Sequence, residues 1–340
     1  MKHGRQWLGW RCIAPIAALC AVFFATDPTL GQDIRYLRLG TGPPGENLFP
    51  LGGLIAGAIS NPPGSRPCDR GGNCGVPGLI AVASATSGSV TNLQAVGTGR
   101  MDAALVQADV ALWATAGALP FQGHPILNLR AVANLTSVQI HLVARAGINI
   151  KTLRDLKGRR VSLGEKGSGT LVHSRQLLAA LGLKETDVKA QYLRSALAAD
   201  AMQTGSLDAF FAIDGAPMPS VVELARALPI TLVPIAGDLA DRLKRENALL
   251  SSATIEGGTY DGVTNDVSTL QVGVSLVVAA ELSDNLVYGI TKALWQPGTV
   301  QLLTENQPQT LAKLDTATLG LGVPLHPGAA RYYAEAGAAK

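Results

Sequence analysis

Residues 99–109 have the sequence GRMDAALVQAD, and residues 205–215 have the sequence GSLDAFFAIDG. In both stretches a glycine follows a helical pattern, an aspartate precedes a short apolar run, and a polar loop ends that run. Glycine often terminates a helix, and a short run of consecutive apolar residues is typical of a strand buried on both faces. The repetition therefore predicts two α/β units of similar construction.

Short apolar runs alternate with helical patterns along the rest of the chain, which is typical of α/β architecture with a largely parallel sheet. The predicted strands are 34–39, 78–83, 103–106, 140–145, 160–163, 188–193, 208–212, 230–235 and 270–279. Between the last two, residues 251–268 are predicted to form a loop-rich passage. A chain of 340 residues is long enough for two lobes of roughly 150 residues each. We place lobe I at residues 32–136 and 245–340, and lobe II at residues 137–244.

The first 31 residues have the pattern of a secretory signal peptide. A cationic start precedes Cys12–Ala25, which carries no charge, and small and turn-forming residues follow up to Gly31. The uncharged segment is shorter than the ~20 residues that a membrane-spanning helix needs. We predict cleavage near Gly31 and a periplasmic mature protein, with a retained membrane anchor as the alternative.

Charge and cysteine content narrow the classes of function. The formal net charge is +3, and removing residues 1–31 leaves 25 basic and 24 acidic side chains. The remaining chain has no row of basic residues that could neutralise the phosphates of a nucleic acid, so no nucleic-acid partner is predicted. Cys68 and Cys74 remain in the mature chain within a loop rich in glycine and proline, which predicts a disulfide in an oxidising compartment. No histidine lies nearby to complete a metal site with these cysteines.

The sequence contains no recognisable catalytic constellation. Histidine pairs at metal-ligand spacing and a Gly-x-Ser-x-Gly elbow after a strand are both absent. The segment Gly167–Thr170 lacks the Lys-Ser/Thr pair of a nucleotide-binding phosphate loop. His173 is expected to be a partly exposed surface residue, and His141 either a core residue or one that faces a cleft. We therefore predict a binding protein that uses no cofactor and no metal, and not an enzyme.

Ligands of open α/β sheets bind beyond the carboxyl ends of the strands. Four loops there, at 40–47, 85–89, 164–170 and 213–217, are rich in Gly, Ser and Thr. They lead into helices whose free N–H groups attract anions, although an ordinary helix cap is the alternative for any single loop. The predicted ligand-binding residues are Thr41, Gly42, Asn47, Ser87, Gly88, Ser89, Gln107, Gly167, Ser168, Gly169, Thr170 and Asp214. We expect the backbone and the hydroxyls of the 168–170 turn to bind an anionic group most strongly.

Several of these motifs, in this order along residues 37–333, resemble those of one family of receptors. They are Leu39–Gly42 with Pro50–Gly53, Ser87–Leu93, Val106–Val110, Asn128–Ala133, Leu153–Ser162, Gly167–Thr170, Asp208–Phe211 and Pro324–Tyr333. The sequence is similar to the TAXI-type solute receptors of TRAP (tripartite ATP-independent periplasmic) transporters. The resemblance implies a type II periplasmic-binding-protein fold, in which hinge strands join two α/β lobes around a ligand cleft.

The resemblance also implies a function. Receptors of this kind capture a small carboxylate-bearing solute, such as glutamate or a dicarboxylic acid, and deliver it to integral membrane subunits. We therefore expect a small anionic solute, TRAP membrane subunits as partners, and a monomer. An exported sensor of the same fold that acts on a signalling partner is the alternative. Glu46 departs from the family pattern, because a carboxylate facing the cleft would repel a dicarboxylate or bind an amino group.

Overall fold

The computed structural model describes Met1, Gly4, residues 33–306 and residues 313–338. The chain divides into two compact units, Met1–Gln32 and Asp33–Lys340, and the fold below is that of the second unit. Apart from Met1 and Gly4, the predicted signal peptide lies outside the described residues, and so does its cleavage site. No helix of the described residues is long and apolar enough to cross a bilayer.

Strands and helices alternate along the described residues. The strands are β1 (Arg35–Gly40), β2 (Ser60–Asn61), β3 (Val76–Pro77), β4 (Leu79–Ser84), β5 (Ala103–Gln107), β6 (Leu129–Arg145), β7 (Arg160–Ser162), β8 (Lys189–Gln191), β9 (Ala209–Asp214), β10 (Ile230–Leu232), β11 (Leu250–Ile255) and β12 (Val267–Ala279). The helices are α1 (Leu48–Ile59), α2 (Ser89–Gly97), α3 (Ala108–Ala116), α4 (Gly169–Ala180), α5 (Ser195–Gln203), α6 (Pro219–Ala227), α7 (Gly237–Glu246), α8 (Asp284–Leu294), α9 (Pro297–Asn306) and α10 (Pro327–Glu335).

One mixed sheet runs through this unit in the order β4-β1-β5-β12-β6-β9-β7-β8, with β10 beside β6 and β11 beside β12. Strands β4, β1 and β5 are parallel to one another, and so are β9, β7 and β8. The long antiparallel strands β6 and β12 join these two sets. We call the part with β4, β1 and β5 the first half, and the part with β9, β7 and β8 the second half.

Two secondary-structure predictions are only partly right. The predicted strand 140–145 is the end of the longer β6, which begins at Leu129, and the predicted loop 251–268 contains β11 and the start of β12. Strand β11 lies at an edge and exposes much of its length. Polar residues suit such a strand, so the sequence there has the composition of a loop.

Strands β5 and β9 are buried along their whole length. Consecutive side chains of a strand point to opposite faces, so Phe210 and Phe211 enter two different hydrophobic clusters. This double burial explains the uninterrupted apolar runs at both positions of the sequence repeat. The repeat thus corresponds in each half to the parallel strand that lies next to the long antiparallel strands.

The aspartate of the repeat has the same structural role in both halves. Asp102 accepts hydrogen bonds from the backbone N–H of Arg38 at 2.8 Å and from its Nε at 2.9 Å. Asp208 accepts the corresponding bonds from Arg160 at 2.8 and 3.1 Å. Each arginine also donates to the carbonyl oxygen of the repeat glycine, Gly99 or Gly205 (2.9 and 2.7 Å). The Gly-x-x-Asp pattern therefore ties a helix end to the neighbouring parallel strand.

The predicted disulfide is present in the structure. Cys68 and Cys74 are joined, and their Cα atoms are 4.8 Å apart. The bond closes a loop between α1 and β4. The side-chain amide of Asn73 anchors this loop, because it donates to the carbonyl oxygen of Ser60 at 2.7 Å.

Candidate functional site

A small pocket lies where the two halves meet, at the carboxyl ends of the parallel strands. Its volume is about 30 Å³. Nine of the twelve predicted ligand-binding residues line it: Thr41, Gly42, Ser87, Gly88, Ser89, Gln107, Ser168, Gly169 and Thr170. The wall also includes Glu46, Glu165, Arg194 and Ser195, together with the apolar side chains Leu48, Leu105, Phe211 and Ile213.

The N-terminus of α2 forms the wall of the first half. Gly88 precedes the helix with a φ of +115°, a conformation that is available to glycine and strained for other residues. Asn92 holds the neighbouring loops in place, since its Nδ2 donates to the carbonyl oxygens of Thr41 and Leu105 at 2.7 and 2.9 Å. The Ser89 hydroxyl accepts the Gln107 backbone N–H at 3.0 Å.

The N-terminus of α4 forms the wall of the second half. Ser168 is the N-cap, and its Oγ accepts the Leu171 N–H at 3.1 Å and donates to the Glu165 carbonyl oxygen at 2.6 Å. We expected the Ser168 hydroxyl to donate to a ligand. This does not fit the geometry, because the hydroxyl already donates its proton to the Glu165 carbonyl oxygen. Thr170 makes no side-chain hydrogen bond to the described residues, so its hydroxyl remains available to a ligand.

The two helix N-termini touch each other directly. A Cβ added to Gly88 would lie 3.5 Å from the Cα of Ser168. The backbone N–H of Thr91 donates to the carbonyl oxygen of Gly167 at 3.0 Å. Gly167 therefore contributes to the contact between the halves and does not line the pocket.

Asn47 and Asp214 also bridge the halves and lie outside the pocket lining. The Asn47 N–H donates to Asp214 Oδ2 at 2.6 Å, and its Nδ2 donates to the Gly215 carbonyl oxygen at 2.9 Å. The sequence correctly places both residues in loops, 40–47 and 213–217, that meet at the boundary between the halves. Their polar groups already have partners in these two loops, so we assign them to the contact between the halves.

Glu46 lies in the pocket wall, where it is partly buried. Its Oε1 accepts the Ser195 hydroxyl at 2.7 Å, across the boundary between the halves. Burial and the charge of Asp214 raise the pKa of Glu46 to about 8. Burial likewise raises the pKa of Asp214 to about 7. Both carboxyls therefore retain protons more readily than exposed acids do.

A further bridge between the halves is an ion pair that no sequence pattern predicted. His173 is only 2% exposed, so its prediction as a surface residue is wrong. Its Nδ1 lies 2.9 Å from the Gly169 carbonyl oxygen and its Nε2 lies 2.8 Å from Asp109 Oδ2. Both neighbours are acceptors, so both ring nitrogens carry protons and the imidazole is cationic. Asn247 Nδ2 also donates to Asp109 Oδ2, at 2.7 Å.

The imidazole of His173 is cationic because the carboxylate of Asp109 lies beside it. Burial alone would lower the pKa of His173, but the charge of Asp109 and the hydrogen bonds raise it. No periodicity in the sequence could have shown this pair, because its members are 64 residues apart.

His141 belongs to the core, which was one of its two predicted places. Its Nε2 is 2.9 Å from the Tyr260 hydroxyl and its Nδ1 is 3.1 Å from the Gln139 carbonyl oxygen. Burial lowers the pKa of His141 to about 4, so this ring is neutral. Within residues 33–306 and 313–338, no cluster of His, Cys, Asp and Glu suits a metal ion.

The profile of the NMT1-like family matches residues 39–337 of this chain. A solved structure from Bordetella bronchiseptica RB50 is 16% identical, with a TM-score of 0.50, over 89% of this chain and 98% of that one. The periplasmic sulfonate-binding protein SsuA from Methylobacillus flagellatus KT is 15% identical, with a TM-score of 0.45, over 91% and 89%. PhnD1 from Prochlorococcus marinus MIT 9301, solved with methylphosphonate, is 12% identical, with a TM-score of 0.46, over 82% and 92%.

At such identities, structural likeness concerns the fold alone. The predicted fold class is confirmed: the chain has the α/β periplasmic-binding-protein fold, with a mixed sheet, two lobes and a cleft between them. The lobe boundaries at residues 136/137 and 244/245, and the role of the pocket residues in ligand binding, stay predictions.

Proposed function

The chain belongs to the NMT1-like family, and on that premise we propose that it is an exported receptor for a small solute. The solute binds in the pocket between the halves and is delivered to membrane transport subunits. Closure of two lobes over a ligand is a common way to bury it. The pocket wall offers hydrogen-bond donors and acceptors that a bound solute can use.

One observation supports this proposal most strongly. The N-termini of α2 and α4 converge on the pocket from different halves, with Gly88 and Gly169 in its wall. The first N–H groups of a helix have no partner within the helix and carry a partial positive charge. Two such ends at one pocket suit an anionic group such as a carboxylate, sulfonate or phosphonate.

The finer parts of the proposal concern the solute and the partner. We propose a carboxylate-bearing solute and TRAP integral membrane subunits, on the strength of the resemblance found in the sequence. The solved neighbours are described as binding proteins for sulfonate or methylphosphonate, and an ABC-type permease is therefore the competing partner. The genes beside this one decide between them, because the two permease types have different subunits.

Thermal shift with a panel of organic acids, sulfonates, phosphonates and amino acids tests the receptor function. A solute at 100 times its Kd should stabilise the protein by about 2.7 kcal/mol. If no compound of the panel raises the melting temperature, the receptor proposal is contradicted.

Thr170→Val should then weaken binding of the tightest compound by about 10- to 100-fold, because it removes one hydrogen bond to a charged group. Titration calorimetry measures the change. Thr231→Val, on the exposed face of β10, is the matched control and should leave the Kd unchanged. An unchanged Kd in folded Thr170→Val would remove this hydroxyl from the site.

A further inference from the structure

The pocket wall contains two carboxylates, and a third lies close by. Glu46 and Glu165 line it, and Asp214 lies behind Glu46 close enough to raise its pKa. The positively charged side chain in the lining is Arg194, which is exposed. Within the described residues none of these three carboxylates forms an ion pair with a lysine or an arginine. A buried carboxylate without a cationic partner is costly when ionised.

A second and independent feature of the same pocket is an unpaired acceptor. The Gln107 side chain is 4% exposed, lines the pocket and lies against Gly169. Its Oε1 is buried and has no hydrogen-bond partner. Buried polar groups are normally paired, so an orphan acceptor in a binding pocket calls for a donor on the ligand. A purely anionic solute has no donor to offer it.

We infer that the solute carries an ammonium group, which Glu46 and the Gln107 carboxamide oxygen bind beside the helix N-termini that hold its anionic group. The inference rests on the proposed receptor function and specifies its ligand as a zwitterion. An ammonium has three donors and no acceptor. It therefore satisfies both the carboxylate without a cationic partner and the orphan carbonyl, which a dicarboxylate would not do with these residues.

The charged neighbours of Glu46 set the pH dependence of this site. Asp214 faces it from the end of β9, Glu165 from the loop after β7, and Arg194 precedes α5, whose Ser195 donates to Glu46. Since the pKa of Glu46 is raised to about 8, its proton must leave when an ammonium binds. Binding should therefore release a proton near neutral pH and strengthen about tenfold from pH 6 to pH 7.

Matched pairs of compounds that differ in one amino group test the inference. They are glycine and acetate, 4-aminobutyrate and butyrate, glutamate and glutarate, and taurine and ethanesulfonate. In titration calorimetry at about pH 7.5, we expect the amino member of at least one pair to bind about 10- to 100-fold more tightly than its partner.

Glu46→Gln should abolish that difference, and Glu46→Asp should retain part of it. Glu223→Gln, an exposed position on α6, is the control and should retain all of it. If the compounds without an amino group bind as well as their partners, or if folded Glu46→Gln keeps the preference, the inference is wrong while the receptor function stands. If neither member of any pair binds, and no compound of the wider thermal-shift panel raises the melting temperature, both the inference and the receptor function are wrong.

Discussion

Replacing Asp109 by alanine is expected to lower the free energy of unfolding by about 3–5 kcal/mol, because it leaves the buried His173 without its counter-charge. The variant also leaves the amide of Asn247 without an acceptor. The ion pair joins helices of different halves, α3 and α4, so its loss should weaken the contact between them. Urea unfolding at pH 6 measures the change.

Two further variants distinguish the loss of this ion pair from nonspecific destabilisation of the fold. Asp261→Ala removes an exposed aspartate and should change the stability by less than about 0.5 kcal/mol. Asp109→Leu combined with His173→Leu removes both charges and should cost less than the sum of the two single changes. Additive costs in that cycle would show that the two residues do not act as a pair.

Stability of the free protein is expected to fall as the pH rises from 5 to 9. Glu46 and Asp214 have raised pKa values in the folded state, so the native protein retains protons that the unfolded chain releases at lower pH. A shift of one pKa unit corresponds to about 1.4 kcal/mol. The shift of Glu46 from 4.5 to about 8 therefore corresponds to a loss on the order of 4 kcal/mol across that interval.

His173 contributes in the same direction. Its pKa is raised in the folded state, so its stabilising effect is complete below the unfolded value near 6.5 and is lost as the pH passes its folded value. Urea unfolding at pH 5, 7 and 9 measures the total. Glu46→Gln combined with Asp214→Asn should leave a rise below about pH 6.5, which comes from the lowered pKa of His141. Above that pH it should leave the fall that comes from His173. A double variant as pH-dependent as the original chain would contradict this assignment.

The fold could be predicted because its signals are local. The Gly-x-x-Asp turns at Asp102 and Asp208, the apolar strands β5 and β9 and the Gly/Ser loops before helices each lie within a dozen residues of sequence. The place where these loops meet could also be predicted, because the carboxyl ends of parallel strands lie at one edge of a sheet. Thr41, Ser87 and Gly169 accordingly reach the same pocket.

The contacts across the cleft could not be predicted, because they join residues that no local pattern relates. Glu46 and Ser195 are 149 residues apart, and Asp109 and His173 are 64 apart. The composition of their loops could indicate that Asn47 and Ser168 make polar contacts, but not with which groups. Only the packing shows that Asn47 bonds to Asp214, and for Ser168 it favours the alternative of an ordinary helix cap.

A crystal structure with the tightest compound of the titration panel tests the central claim most directly. We predict density between the N-termini of α2 and α4, with the anionic group at the backbone N–H groups of Gly169 and Thr170 and the amino group at Glu46. The two halves would part slightly from their present contact at Gly88 and Ser168 to admit it. A compound bound outside this pocket, with the cleft unchanged, would contradict the account.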